Sequence, residues 1–317
     1  MKIILFCAYF GALPSHFDLW LESCRFNTDV TFNVFTDDRR TFELPSNVLI
    51  KKISFEEFKE LIASKLGMKI SLETPYKLCD YKPLFGFLFE EYTVGYDYWG
   101  YCDLDMIFGN ISSYLPNFEF DKASRLAHLC LIKNTVDNNR LFMKSIASID
   151  YKDILSSHVH FAFDEIGEYG INRIFNNEGK KIYNLEQFVA DIYPKRRDFY
   201  IVKHNVEGKR KITKNKYFFE FNNGHIYGYD EFDNKVEFCY VHFQKRRMNN
   251  NVRYNRSKFY IIPNQFTNDK IEQSSTFVES LVYLFYSIKL TLKAINYRLL
   301  RFCEQRKIGI KNNKCAQ

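Results

Sequence analysis

The sequence predicts an α/β fold, a mixed sheet flanked by helices, with a basic amphipathic helix at its C-terminal end. Three observations predict it. Strand and helix signals alternate from residue 3 to residue 105, the opening run over residues 3–9 is apolar throughout, and residues 277–302 repeat apolar side chains at helical spacing.

Residues 3–9 read as a strand buried on both faces, the pattern of a parallel strand inside a sheet. The run resembles a short leader, but it has no small-x-small cleavage site and a polar, helix-like segment follows at once, so it is expected to remain as the first strand. Gly11 and Pro14 break it, and residues 17–24 form a short helix. Residues 30–35 are the next strand, ending at Thr36-Asp37-Asp38, and residues 48–53 are a third. Ser54 with Glu57 three positions on makes a capping box that opens a helix over residues 55–66, and Gly67 stops it. Residues 84–91 look helical, and residues 98–102 form a strand that runs into Asp103-Leu104-Asp105. In such a βαβαβ order ligands sit outside the carboxyl ends of the strands, where Tyr9, Asp37 and Asp103 fall. The middle of the chain is less regular. Its clearest unit is an aromatic hairpin, residues 217–221 and 225–229, around Asn223-Gly224.

A chain of 317 residues makes one large or two modest domains, here a catalytic domain over residues 1–255 and a helical, basic region over residues 256–317. Hydrophobic residues at 46% and charged residues at 26% exclude disorder and collagen-like structure. The net charge of +7 lies entirely after residue 288, where eight cations face Glu304 alone. The rest is formally neutral, which argues against a body-wide nucleic-acid surface. No run reaches the roughly 18 apolar residues of a membrane span. The eight scattered cysteines contain no CxxC pair, so buried reduced thiols in a cytoplasmic protein are expected.

The chemistry concentrates in Tyr98-Trp99-Gly100-Tyr101-Cys102-Asp103-Leu104-Asp105-Met106-Ile107-Phe108-Gly109-Asn110. Carboxylates at i and i+2 of an extended segment lie on one side and can reach a single hard cation. Such a cation neutralises a diphosphate as it leaves a sugar. A bare DxD is common by chance; its apolar, aromatic flanks make this one more specific. A second cluster, His158-Val159-His160-Phe161-Ala162-Phe163-Asp164-Glu165, places two acids directly after an aromatic run, where core packing is not expected of them; a helix start is the structural alternative.

With its opening strand, Thr36-Asp37-Asp38, Lys77-Leu78-Cys79-Asp80-Tyr81-Lys82-Pro83, the DxD and Val241-His242-Phe243-Gln244-Lys245, the sequence resembles the GT-A (Rossmann-like) class of nucleotide-sugar glycosyltransferases over roughly residues 1–250. It looks most like small bacterial enzymes that build capsule, O-antigen or lipooligosaccharide. The resemblance implies a metal-dependent hexosyltransferase that moves a sugar from a UDP-sugar donor to a lipid-linked or oligosaccharide acceptor. It implies that Asp103, Asp105 and His242 ligate Mn²⁺ or Mg²⁺, and the imidazole favours Mn²⁺. Ala8 and Tyr9 would line the base pocket, Asp37 would lie near base or ribose, Lys82 near phosphate or sugar, and Lys245 on the diphosphate. Asp164 or Glu165 would bind donor hydroxyls or deprotonate the acceptor. Competing readings are a non-catalytic glycan- or partner-binding protein on the same scaffold, and a sugar-nucleotide phosphohydrolase.

In the tail, Phe277, Leu281, Leu284, Phe285, Ile288, Leu292, Ile295, Leu299 and Phe302 fall on one helical stripe flanked by cations. Such a helix lies in an anionic membrane surface, on the inner face of the cell membrane, or docks on the catalytic domain or a partner.

Overall fold

The computed structural model describes residues 1–145, 149–165, 167–205, 209–244, 246–270 and 277–315. Its frame is a mixed seven-stranded sheet. The strands Val48–Lys52, Val30–Thr36, Ile3–Ala8 and Tyr98–Cys102 lie side by side and parallel, in that order. Leu129–Lys133 then pairs antiparallel with Tyr98–Cys102, and Lys122–Ala123 and Ile182–Tyr183 complete the edge.

The opening strand is central because its alternation serves both faces. Ile4 and Phe6 join one core with Phe35, Phe58, Phe89 and Trp99, while Ile3, Leu5 and Cys7 join another with Trp20, Phe32 and Val34. At about 1.5–3 kcal/mol for each fully buried large side chain, these two layers dominate the favourable terms. The helix Phe17–Arg25 covers the second face through Trp20, and Phe55–Leu66 covers the first through Phe58 and Ile62. Ser54 and Glu57 form the expected reciprocal capping box, and Gly67 ends the helix in the left-handed conformation. Residues 84–91, expected as one helix, are divided. Pro75–Leu84 is a 3₁₀ segment containing Pro83, followed by the short helix Phe85–Leu88 and a further 3₁₀ turn. The proline supplies no N–H to a regular α-helical ladder, and the segment closes in tighter turns.

Gly100 lies where two strands press closest. A Cβ built on it would stand 2.0 Å from the carbonyl oxygen of Cys130 and 2.8 Å from Leu5. That oxygen belongs to the paired strand, where Gly100 faces Leu131, so it cannot move without breaking the sheet. Gly100→Ala is therefore expected to destabilise the protein by about 3 kcal/mol or more. Denaturant unfolding measures this, and an unchanged midpoint would show that the sheet has slack.

A second, six-stranded sheet packs a separate apolar core around Phe219, Phe221, Phe259 and Phe266. Tyr217–Asn222 and His225–Asp230 form the expected hairpin, with Asn223 and Gly224 both at positive φ. Lys258–Ile262 pairs with Tyr217–Asn222, and Gln265–Thr267 follows it. The division expected after residue 255 thus falls within one sheet. A small three-stranded sheet joins the two larger ones: Tyr240–His242 lies between Met106–Phe108 and Val189–Asp191. The chain ends in the 39-residue helix Phe277–Cys315. Among the described residues no helix is long and apolar enough to cross a membrane. Cys7, Cys24, Cys102, Cys130 and Cys239 are free thiols buried in the body, Cys79 is partly covered, and Cys303 is exposed on the helix.

Candidate active site

Asp103 and Asp105 stand in the short connection between Tyr98–Cys102 and Met106–Phe108. The first of these strands belongs to the large sheet and the second to the small one, so the acids mark the seam between them. Tyr240–His242 pairs antiparallel with Met106–Phe108, putting His242 opposite Met106, and the Phe243 N–H donates to the Asp105 carbonyl at 2.8 Å. This pairing brings the late histidine to the acids. One donor atom from each of Asp103, Asp105 and His242 lies within 4.8 Å of the others, and His242 Nε2 is 3.4 Å from Asp105 Oδ1.

Behind His242 stands a residue that the sequence reading did not single out. Asp191 is buried at the end of Val189–Asp191, in register with His242 on the neighbouring parallel strand. Its Oδ1 is 2.8 Å from His242 Nδ1 and its Oδ2 is 2.8 Å from His204 Nε2, while Gln244 Nε2 donates to Oδ1 at 2.6 Å. His128 stacks on the His242 ring with centroids 3.9 Å apart. A carboxylate on the remote ring nitrogen fixes the imidazole's orientation and leaves Nε2 facing Asp105. Burial would lower the His242 pKa, but the Asp105 and Asp191 carboxylates overcome it and push it up to about 10. Asp191 itself is held far below the usual carboxylate range; burial opposes this, and its bonds to His204 and His242 prevail. The only sequence signal for Asp191 was an acid closing a short apolar run.

The acids form the border between two clefts. The first, of ≈ 630 Å³, opens at the carboxyl ends of Ile3–Ala8 and Tyr98–Cys102, and its walls include Ala8, Tyr9, His16 and Arg247. The second, of ≈ 350 Å³, is walled by His128, Asp164, Glu165, Lys195, Arg210 and His242. Tyr76, Cys79, Lys82, Asp103 and Asp105 line both. Strand order explains the place: Ile3–Ala8 and Tyr98–Cys102 are adjacent, but their outgoing connections diverge and leave a crevice between them.

Lys82 is buried at this border, with its ammonium 2.6 Å from Asp103 Oδ1 and 3.5 Å from Asp164 Oδ2. Burial pulls its pKa down, yet the Asp103 charge beside it carries it well above the usual lysine value. Asp164 is 1% exposed, and among the described residues neither of its side-chain oxygens accepts a hydrogen bond. Burial raises its pKa well above the ordinary value, against the nearby Lys82 charge. A buried carboxyl group that lines a cleft with no hydrogen-bond donor among the described residues is a group prepared for a ligand, because only the Lys82 charge, 3.5 Å away, offsets its desolvation. The loop that presents it hangs on Asp80, whose two oxygens accept the N–H groups of Phe161 and Phe163 at 2.8 Å each, while Lys77 Nζ donates to Oδ2 at 2.7 Å. Asp80 is therefore a positioning residue. Glu165, next along, is exposed at the cleft margin.

Other expected site residues lie elsewhere. Asp37 is exposed outside the lining of both clefts, and its Oδ1 accepts the Gly11 N–H at 2.7 Å, which ties down the loop after the first strand. Ala8 and Tyr9 do line the first cleft. Lys245 lies outside the described residues. Its neighbour Arg246 is buried and donates to the carbonyls of Tyr193, Arg196 and Arg197, so it fastens a loop. His160 sits 3.7 Å from Asp80, and His158 lines a separate cleft away from both.

The apo form of a glycosyltransferase, GlyE of Streptococcus pneumoniae TIGR4, is a distant structural neighbour with 15% sequence identity and a TM-score of 0.34. The match covers 59% of this chain, which spans 46% of that protein's length. No curated protein matches the sequence. A family model does match it, over residues 5–270, and the chain belongs to that family, described as a family of unknown function (DUF6625).

Proposed function

We propose that the protein is a metal-dependent glycosyltransferase of the GT-A type that transfers a sugar from a UDP-sugar to a cell-surface glycan acceptor. The observation that carries this reading is the convergence of Asp103 and Asp105, on the wall shared by two clefts, with His242 of the second cleft. The donor set fits a divalent cation. Two carboxylates and an imidazole offer hard and intermediate ligands, and a bound cation would displace the proton from His242 Nε2 while Nδ1 stays bonded to Asp191. Asp103, Asp105 and His242 would hold Mn²⁺ or Mg²⁺, and such an ion supplies charge neutralisation of a leaving diphosphate.

The chain's own groups divide the remaining work. Tyr9 and Ala8 wall the first cleft as a nucleoside site. Lys82, held by Asp103, supplies a fixed cation at the junction where a diphosphate ester would lie. Asp164 faces the second cleft as an acceptor of hydrogen bonds from sugar hydroxyls, and Glu165 stands at the margin where an incoming hydroxyl would lose its proton. Asp191 keeps His242 in the ligating orientation.

The test is a screen of UDP-sugars with purified protein and Mn²⁺, read as UDP formation with and without oligosaccharide or lipid-linked acceptors. Acceptor-stimulated UDP formation is expected. UDP or sugar phosphate appearing at the same rate without acceptor would assign hydrolysis, and no turnover of any donor would return the protein to a binding role.

A further inference from the structure

The last helix docks on the body by a face other than its apolar stripe. Tyr283 takes a hydrogen bond from Arg246, Thr291 takes one from Lys195, Tyr297 packs on Tyr76, Arg301 donates to the His160 carbonyl and Glu304 accepts from Ser157. At about 100° per residue these positions share one side of the helix. Leu281, Leu284, Phe285, Ile288, Leu292, Ile295, Leu299 and Phe302 lie on the opposite side and are all exposed, from 39% at Leu281 to 69% at Phe285. The helix is about 58 Å long at 1.5 Å for each of its 39 residues. An apolar band of this extent on a charged rod marks a contact surface.

We infer that this face beds into the surface of an anionic lipid bilayer. Charge complementarity selects that occupant. The helix carries a net charge of +6, eight cations against Glu279 and Glu304, with Lys289 and Lys307 on one flank of the stripe and Arg298 on the other. Lysine and arginine stems reach past an apolar face to anionic head groups, and each contributes several-fold to binding. A second copy of the same helix would instead set like charges against each other. The helix also rims the second cleft, since Leu290 lines that cleft and Tyr297 packs on Tyr76, which walls both. Seating this face on a membrane would hold the rim of the second cleft one helix diameter, roughly 10 Å, from the bilayer, within reach of an acceptor anchored in lipid. The membrane contact itself does not rest on the transferase reading.

The experiment is flotation of the full chain with vesicles of phosphatidylcholine alone and of phosphatidylcholine mixed with phosphatidylglycerol. The protein should float with the anionic vesicles, bind the neutral ones at least about tenfold more weakly, and be released by high salt. A Leu292→Glu/Ile295→Glu variant should lose vesicle binding while keeping the thermal unfolding midpoint, because both positions point away from the body. A Lys289→Glu/Arg298→Glu variant should lose the preference for anionic lipid. Absence of binding to anionic vesicles, equal binding to neutral ones, or a dimer that dissociates in the Leu292→Glu/Ile295→Glu variant would overturn the inference. None of these readouts requires turnover, so they fail or succeed separately from the donor screen.

Discussion

Asp105→Asn is expected to reduce acceptor-dependent UDP release by about 10³-fold or more, corresponding to roughly 4 kcal/mol of lost transition-state stabilisation. An amide offers only a neutral carbonyl oxygen to a cation, and the developing diphosphate charge is then poorly matched. Asp103→Asn should be at least as damaging for a second reason. Asp103 is the nearer partner of the buried Lys82 ammonium, which would be left with Asp164 at 3.5 Å. Asp105→Asn is thus the cleaner test, with circular dichroism and thermal unfolding to show that the fold survives. EDTA should mimic the substitution and Mn²⁺ should reverse EDTA. Near-normal turnover in the variant, or full activity in EDTA, would falsify the metal-dependent mechanism.

Asp164→Asn separates activity from stability in opposite directions. A carboxylate that orients donor hydroxyls or moves a proton contributes typically 10²–10⁴-fold, and a loss of about that size is expected in turnover. The fold should gain. Burial raises the Asp164 pKa in the native state, so the unfolded chain releases this proton at lower pH than the native one does. Native stability therefore falls as pH climbs above about 4, the ordinary carboxyl range, until the folded group also ionises. An asparagine has no such dependence, so the variant should unfold at a higher temperature than wild type at neutral pH and lose that advantage at low pH. A variant that is active, or that is destabilised at neutral pH, would show that Asp164 is a structural partner of Lys82.

Much of the frame was legible along the chain. The four parallel strands and the helix over Phe55–Leu66 follow from local rules, because apolar alternation, a capping box and a terminating glycine act over a few residues. Asp103 and Asp105 were equally visible, since two acids closing a buried strand have little structural reason to be there. The apolar stripe of the last helix was also readable from spacing. Its direction was not: the stripe points outward because tyrosines, Thr291 and Arg301 on the other side make the contacts to the body.

Two features of the site depend on contacts between distant segments. Asp37 was expected in the cleft because it ends a strand beside Tyr9, but the loop after the first strand folds back and its Gly11 N–H takes the carboxylate. Asp191 carries only a weak local signature, an acid closing the short apolar run Val189-Ala190, and its importance comes from the parallel register that sets it opposite His242. Periodicity and capping thus determine where the backbone turns and which faces are apolar, for these are properties of neighbouring residues. Which acid pairs with which histidine, and which carboxylate is left buried without a donor, is decided by strand register and loop closure. Those depend on interactions between segments far apart in the chain, and no short window contains them.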